Sequence, residues 1–182
     1  KLADGVPVFV ETKKENNYKY TVEDLEKAVT DKTKAILINS PNNPTGTIYN
    51  EDELLKIADF AKKYNLLIIS DEIYEKLIYD DEKHVSIASL NEDAYSRTLV
   101  INGVSKTYAM TGWRLGYLVG PEEIVECAKK VHDFLTVGAP SPLQEAAVVG
   151  LNFDESYYEQ LKKTYTEKRD YFLKGLDEIG LE

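Results

Sequence analysis

The sequence has one cysteine, Cys127, among 182 residues. A disulfide within the chain is therefore excluded, and such scarcity of cysteine is typical of a reducing compartment, so we expect a cytoplasmic protein. We expect neither a signal peptide nor a membrane span, because no apolar run is long enough. The histidines, His84 and His132, lack the spacing of metal ligands, and no metal site is predicted.

Basic residues are also fewer than acidic ones: the chain has 22 Lys and Arg and 32 Asp and Glu, so its net charge is −10. A chain with this charge and no basic cluster is not expected to bind nucleic acid. No GxGxxG or P-loop pattern is present, which disfavours a nucleotide site. The length and the hydrophobic content of 43% are sufficient for one globular domain with a real core.

Short apolar runs alternate with amphipathic helical patterns along most of the chain. Predicted strands cover 6–11, 35–38, 66–69, 98–101 and 115–119. Predicted helices begin after the caps Thr21 and Asn50, at Pro121, at Leu143, and after Asp154. This order predicts an α/β three-layer sandwich with a mostly parallel sheet, in which the runs 35–38, 66–69 and 98–101 are buried on both faces. Residues 115–119 follow 98–101 too closely for a crossover helix, which predicts one antiparallel strand.

Four different polar side chains follow the ends of these predicted strands. Asn43, Asp71 and Lys106 follow three parallel strands, and Arg114 begins the antiparallel one. Because ligands of open α/β sheets bind at the carboxyl ends of the strands, we expect these groups to meet at one rim. A lysine can bond to an aldehyde, an arginine with Ser105 suits a phosphate, and a carboxylate suits a protonated ring nitrogen. Pyridoxal phosphate offers all three partners.

Three segments then resemble a known family, in the same order and at similar spacing. They read SPNNPTG at 40–46, SDEIY at 70–74 and SKTYAMTGWR at 105–114. They resemble the class I aminotransferases of pyridoxal phosphate fold type I, nearest to the aspartate and aromatic branch. The likeness covers essentially the whole chain. It implies the large, cofactor-binding domain at 1–152, and at 153–182 a long helix that leads to a small domain.

The resemblance also implies a role for each matching residue. Lys106 would hold the cofactor as an aldimine and later carry a proton. Asp71 would pair with the pyridine nitrogen, and Asn43 and Tyr74 would bind the ring 3′-oxygen. Ser105 and Arg114 would bind the phosphate. The substrates would be an amino acid and a 2-oxo acid, and the full-length protein would be a homodimer.

The chain departs from the family pattern in two respects. Many members have a serine where this chain has Gly103, so one phosphate contact is expected to be missing. The start at Lys1, close to the predicted strand at 6–11, also suggests a segment of a longer protein. Neither the segment that stacks an aromatic residue on the ring nor the arginine for the substrate carboxylate is recognisable in this chain. The segment by itself is therefore expected to be inactive.

Other interpretations stay open on the sequence alone. The same lysine and aspartate would serve a pyridoxal phosphate β-lyase or decarboxylase, and the fold also forms the effector domain of some transcription regulators. Lys106 could be a surface lysine, Asp71 a helix cap, and Asn43 a turn residue. Tyr74 is one of 13 tyrosines and could belong to the core.

Overall fold

The computed structural model describes residues 4–181. Its helices and strands, in chain order, are α1 (Val22–Ala28), β1 (Ala35–Asn39), α2 (Glu51–Lys63), β2 (Leu67–Asp71), α3 (Glu92–Arg97), β3 (Thr98–Gly103), β4 (Gly116–Val119), α4 (Glu122–Thr136), α5 (Ser141–Leu151) and α6 (Glu155–Glu178). Short 3-10 turns lie at Lys14–Asn16, Ile87–Ser89 and Thr111–Trp113. The α/β class is confirmed.

The four strands form one sheet in the order β1-β2-β3-β4. Strands β1, β2 and β3 pair in parallel, whereas β3 and β4 pair antiparallel. The mostly parallel sheet with one antiparallel strand is therefore confirmed. Because consecutive strands are neighbours, the carboxyl ends of β1, β2 and β3 lie side by side at one edge.

Two of the helices start on the capping boxes that the sequence contains. The side chain of Thr21 accepts a hydrogen bond from the backbone of Asp24, and the Asp24 carboxylate in turn accepts one from the backbone of Thr21. Asn50 and Glu53 exchange the same pair of bonds at the start of α2. Each box pairs two N–H groups that a helix start would otherwise leave without a partner.

The main core lies on one face of the sheet. Helix α2 contributes Leu54, Ile57, Ala58, Phe60 and Ala61, and the strands contribute Ile36, Ile38 and Ile68. The prediction that 35–38, 66–69 and 98–101 are buried on both faces is wrong, because Leu37, Leu67 and Ile101 remain 66%, 43% and 37% exposed. On the other face, by contrast, Ile38 is 1% exposed. Successive strand residues point to opposite faces, and the described helices cover only the face of Ile38. The third layer of the sandwich stays a prediction.

The strand predicted at 6–11 is also wrong for the described residues. This segment belongs to no strand, and Val6, Val8 and Phe9 are 86%, 66% and 87% exposed. A strand needs a neighbour for its backbone hydrogen bonds, and none of the described residues supplies one. Helix α3 was not predicted, because six residues are too few for a clear periodic pattern.

A second, smaller core lies beyond the end of β3. It consists of Val104, Leu115 and Ala147, with Tyr108, Met110, Ala139 and Leu143 packed against them. Helix α5 thereby rests on the segment that connects β3 with β4. Within residues 4–181, no helix is both long enough and apolar enough to cross a membrane.

Candidate active site

The ends of three parallel strands are in register at the rim of the sheet. Asn39 at the end of β1 lies opposite Asp71 at the end of β2, which in turn lies opposite Ile101 of β3. The Asp71 carboxylate accepts a hydrogen bond of 3.2 Å from the backbone N–H of Ile73. The aspartate is only half-buried, so its second oxygen can serve a ligand at the rim.

The loop after β1 is fixed by the side chain of Asn39. Its oxygen accepts bonds from the backbone N–H of Asn43 (3.0 Å) and from the amide of Asn42 (3.3 Å). Its own amide nitrogen donates to the backbone oxygen of Asp71 over 3.1 Å. Asn39 therefore connects the Asn43 loop with the strand that ends at Asp71. No role was predicted for it from the sequence, although an asparagine that ends a strand before a proline-rich loop favours such local bonds.

Tyr74 lies between the side chains of Asn43 and Lys106. The Asn43 amide nitrogen donates to the Tyr74 phenol oxygen over 3.2 Å. The Lys106 ammonium nitrogen lies 5.4 Å from the centre of the Tyr74 ring, within the range of a cation–π contact. The structure thus brings together three of the predicted site residues, which come from three separate strand–loop connections.

Lys106 itself lies in a compact turn directly after β3. The hydroxyl of Thr111 donates to the backbone oxygen of Ser105 over 2.9 Å. The backbone N–H of Ala109 donates to the oxygen of Lys106 over 3.2 Å. Ala109 and Arg114 both adopt positive φ angles, of 53° each, which reverse the chain into β4. These contacts fix the backbone from which the lysine projects.

A small cavity beside this turn contains the two residues expected to bind phosphate. Its volume is about 180 Å³, and its walls are Ile73, Asn102, Gly103, Ser105, Arg114, Leu115 and Gly116. Arg114 is exposed, and one guanidinium nitrogen donates to the backbone oxygen of Thr111 over 3.1 Å. Its other donors stay available to an anion. The cavity is smaller than the roughly 300–1,000 Å³ of typical small-molecule pockets, so it fits one group of a ligand better than the whole.

Gly103 is required by the close approach of β4 to β3. A Cβ atom at this position would lie 2.9 Å from the backbone oxygen of Leu115 and 3.0 Å from the Cα of Gly116. Real Cβ atoms almost never come closer than 3.0 Å to another heavy atom, so a side chain at this position would force the backbone around Leu115 to shift. A glycine at position 103 therefore has a steric reason in this chain.

Two tyrosines of α6 form hydrogen bonds with the turn that contains Lys106. The phenol of Tyr157 donates to the backbone oxygen of Thr107 over 2.8 Å, and the phenol oxygens of Tyr108 and Tyr158 are 3.0 Å apart. Burial, with a smaller contribution from Tyr158, raises the pKa of Tyr108 above its ordinary value, so this side chain stays a neutral phenol. Burial also raises the pKa of Tyr117, with Glu75 as the next cause.

The predicted site residues thus form two adjoining groups on one edge of the sheet. Asn43, Tyr74 and Lys106 form the first, and Ser105 and Arg114 line the cavity beside it. Asp71 contacts neither group through a hydrogen bond between side chains, but it stands two residues before the cavity wall at Ile73. In residues 4–181, no cluster of three or more His, Cys, Asp or Glu side chains could hold a metal ion.

The matching family model and the sequence relatives of this chain all carry the name aminotransferase. A family model described as aminotransferase class I and II matches residues 1–182. The aspartate aminotransferase of Pyrococcus abyssi is 46% identical over 182 residues, a match that covers 99% of this chain and 46% of that protein. The aspartate aminotransferase of a Bacillus species is 44% identical over 179 residues, which cover 98% of this chain and 46% of that protein.

The solved structures agree with the sequence relatives. The crystal structure of an aromatic aminotransferase from Pyrococcus horikoshii superposes with a TM-score of 0.91 at 44% identity. The match covers 98% of this chain and 48% of that one. The chain therefore spans about half the length of the relatives that it matches.

Proposed function

The chain belongs to the class I and II aminotransferases, and from this premise we propose that it is the cofactor-binding part of a pyridoxal-phosphate-dependent transaminase. The enzyme would transfer an amino group between an amino acid and a 2-oxo acid. The observation that carries the proposal is the meeting of Asn43, Tyr74 and Lys106 beside the cavity of Ser105 and Arg114. When bound, pyridoxal phosphate supplies an aldehyde that bonds to a primary amine and a ring that accepts electrons from the α-carbon.

The phosphate end of the cofactor fits the cavity beside the lysine turn. Arg114 offers guanidinium donors that its own turn does not use, and Ser105 offers a hydroxyl. Arginine is well suited to phosphate because its donors form a rigid, permanently charged fork. The missing serine at Gly103 leaves the recognition of phosphate to these two residues within this part of the site.

The ring end of the cofactor fits the group around Tyr74. The Tyr74 phenol can donate its hydrogen to a ring oxygen while its own oxygen accepts from Asn43, so the two residues would act as a pair. Asp71 would hold a proton on the ring nitrogen, which a carboxylate favours by direct charge attraction. Lys106 would supply the amine that bonds to the cofactor. After the substrate displaces it, its Nζ would move a proton from the substrate α-carbon.

The remainder of the proposal concerns the whole protein. Residues 1–152 would belong to the large domain, and the helix from Asp154 onward would lead to the small domain. Exposed apolar side chains of α4, among them Phe134 (92%) and Leu135 (76%), support a surface that further protein covers. We propose that the full-length protein is a homodimer in the cytoplasm, and that this segment alone is inactive.

The relatives also favour transamination over the other chemistries of this lysine and aspartate. The relatives compared above are named as aspartate or aromatic aminotransferases, and none as a lyase, decarboxylase or regulator. We therefore propose aspartate or an aromatic amino acid as the donor to test first.

The experiment is a transamination assay on the full-length protein that contains this chain. Aspartate and phenylalanine are each incubated with 2-oxoglutarate and pyridoxal phosphate, and glutamate formation is measured. We expect glutamate from at least one donor, and none from Lys106→Ala under the same conditions. Ammonia or carbon dioxide released without glutamate, or unchanged activity in Lys106→Ala, would contradict the proposal.

A further inference from the structure

A buried carboxylate follows Asp71 directly and has no role in the proposed chemistry. Glu72 is 2% exposed, which is rare for a glutamate. Among residues 4–181, no lysine or arginine forms an ion pair with it. Such a group is costly to bury, so its surroundings must compensate for the lost water.

Three side chains surround the Glu72 carboxylate. Its Oε1 accepts hydrogen bonds from the hydroxyls of Ser70 (2.8 Å) and Ser86 (2.9 Å). Its Oε2 lies 2.9 Å from Nε2 of His84, whose side chain is only 11% exposed. These two atoms share one hydrogen in this contact. The polar cluster of Ser70, Glu72, His84 and Ser86 is therefore built around the glutamate.

The histidine depends on this glutamate for its orientation. Its other ring nitrogen, Nδ1, is buried and has no hydrogen-bond partner among the described residues. The contact with Glu72 is therefore the only hydrogen bond described for this ring that fixes its rotation. No role was predicted for His84 from the sequence. Its hydrogen-bond partner, Glu72, lies 12 positions earlier in the chain, so the contact leaves no local sequence pattern.

The backbone links this cluster to two proposed cofactor ligands. The backbone N–H of Glu72 donates to the backbone oxygen of Ile101 over 2.9 Å. The backbone oxygen of Glu72 accepts from the backbone N–H of Glu75, also over 2.9 Å. Its side chain lies on the same face as that of Ser70, so the intervening Asp71 points to the opposite face. Tyr74 lies within the turn that the bond between Glu72 and Glu75 closes.

We propose that Glu72, held by His84, Ser70 and Ser86, is a positioning residue that fixes the orientation of Asp71 and Tyr74. A fixed glutamate on the covered face prevents the strand end from rotating. The carboxylate of Asp71 and the phenol of Tyr74 then stay in place before a ligand binds. This inference rests on the proposed function, since it assigns a purpose to the cofactor ligands of that site.

The experiment compares cofactor affinity with stability in the full-length protein. Glu72→Gln keeps the size of the side chain and replaces one carboxyl oxygen by an amide nitrogen, and Ser86→Ala removes one donor. Thr98→Val is the matched control, because Thr98 is 0% exposed and its hydroxyl donates to Ala94 over 2.7 Å at the far end of β3. Pyridoxal phosphate affinity, the visible circular dichroism of the bound cofactor and urea unfolding are measured for each variant.

We expect Glu72→Gln to lower cofactor affinity at least tenfold and to change the visible dichroism, with a smaller loss of the same kind in Ser86→Ala. Thr98→Val should lose stability to a similar extent but keep its affinity within twofold. Wild-type affinity for pyridoxal phosphate in both Glu72→Gln and Ser86→Ala would overturn the inference. If Glu72→Gln does not fold, the affinity of Ser86→Ala is the test, and a wild-type value there would overturn it. A wild-type protein that fails to bind pyridoxal phosphate would instead overturn the proposed function, and the inference with it.

Discussion

The amide nitrogen of Asn43 donates a 3.2 Å hydrogen bond to the phenol oxygen of Tyr74, although 31 positions separate the two residues in the chain. The contact joins the loop after β1 to the turn after β2. Since Lys106 lies over the Tyr74 ring after β3, one tyrosine connects all three parallel strands of the site. A ligand that touches this phenol therefore meets a group whose position two other loops determine.

The bond between Asn43 and Tyr74 should make their substitutions non-additive. Asn43→Ala and Tyr74→Phe should each weaken pyridoxal phosphate binding several-fold in the full-length protein. Tyr74→Phe removes a donor to the ring, and Asn43→Ala removes the amide that holds this donor in place. The double variant should lose less than the product of the two effects, since either change already breaks the shared bond. Affinity is measured by titration of visible absorbance.

Tyr95→Phe is the control for this comparison, because Tyr95 is 52% exposed on α3. It should bind like the wild type. Strictly multiplicative effects of Asn43→Ala and Tyr74→Phe would show that the two side chains act independently, and would contradict their coupling through the shared hydrogen bond.

Arg114 should distinguish a phosphorylated cofactor from one without phosphate. Arg114→Gln should weaken pyridoxal phosphate binding by about 10–100-fold, since hydrogen bonds to charged groups contribute about 1.5–3 kcal/mol. Binding of pyridoxal, which lacks the phosphate, should change little. Lys129→Gln removes the same charge from a side chain that is 73% exposed on α4 and should affect neither ligand. If Arg114→Gln lost affinity equally for pyridoxal phosphate and for pyridoxal, Arg114 would not be the residue that binds the phosphate.

The strand β1, two helix caps and the antiparallel direction of β4 could be predicted from the sequence because each depends on nearby residues. The run at 35–38 and the caps at Thr21 and Asn50 depend on nearby residues, and the structure confirms them. The short separation between β3 and β4 likewise predicts their antiparallel pairing, which is confirmed.

Features that depend on distant residues could not be predicted. The segment at 6–11 has a strand composition, but no described residues pair with it. The exposure of Leu37 depends on which helices cover the sheet, and composition does not reveal this. The bonds of Asn39 and the contact between Glu72 and His84 depend on tertiary structure, so neither residue could be selected from spacing alone.

Gly103 should tolerate no side chain. Gly103→Ala should lower the free energy of unfolding by about 1–3 kcal/mol, the usual cost of overpacking, because its Cβ would collide with the backbone of Leu115. Gly112→Ala is the matched control, since no heavy atom lies within 4 Å of a Cβ built there. Both are measured by urea unfolding of the full-length protein, and equal stability of the two variants would refute the steric explanation.

The third layer of the predicted sandwich can be tested at Leu37. If helices of the full-length protein cover this face, Leu37→Ala should cost about 2–5 kcal/mol of stability, as truncation of a buried side chain does. Ile38→Ala is the reference, because Ile38 is 1% exposed on the face already covered. A cost for Leu37→Ala far below that of Ile38→Ala would mean that the second face stays open.

Lys106 is the residue that we propose bonds to the cofactor. The most direct measurement is borohydride reduction of the full-length protein with pyridoxal phosphate, followed by peptide mass spectrometry. We predict a single stable pyridoxyl adduct on the peptide that contains Lys106, at about one per chain, and no adduct at that peptide in Lys106→Ala. Adducts spread over surface lysines, or one stoichiometric adduct on a different lysine, would contradict the claim.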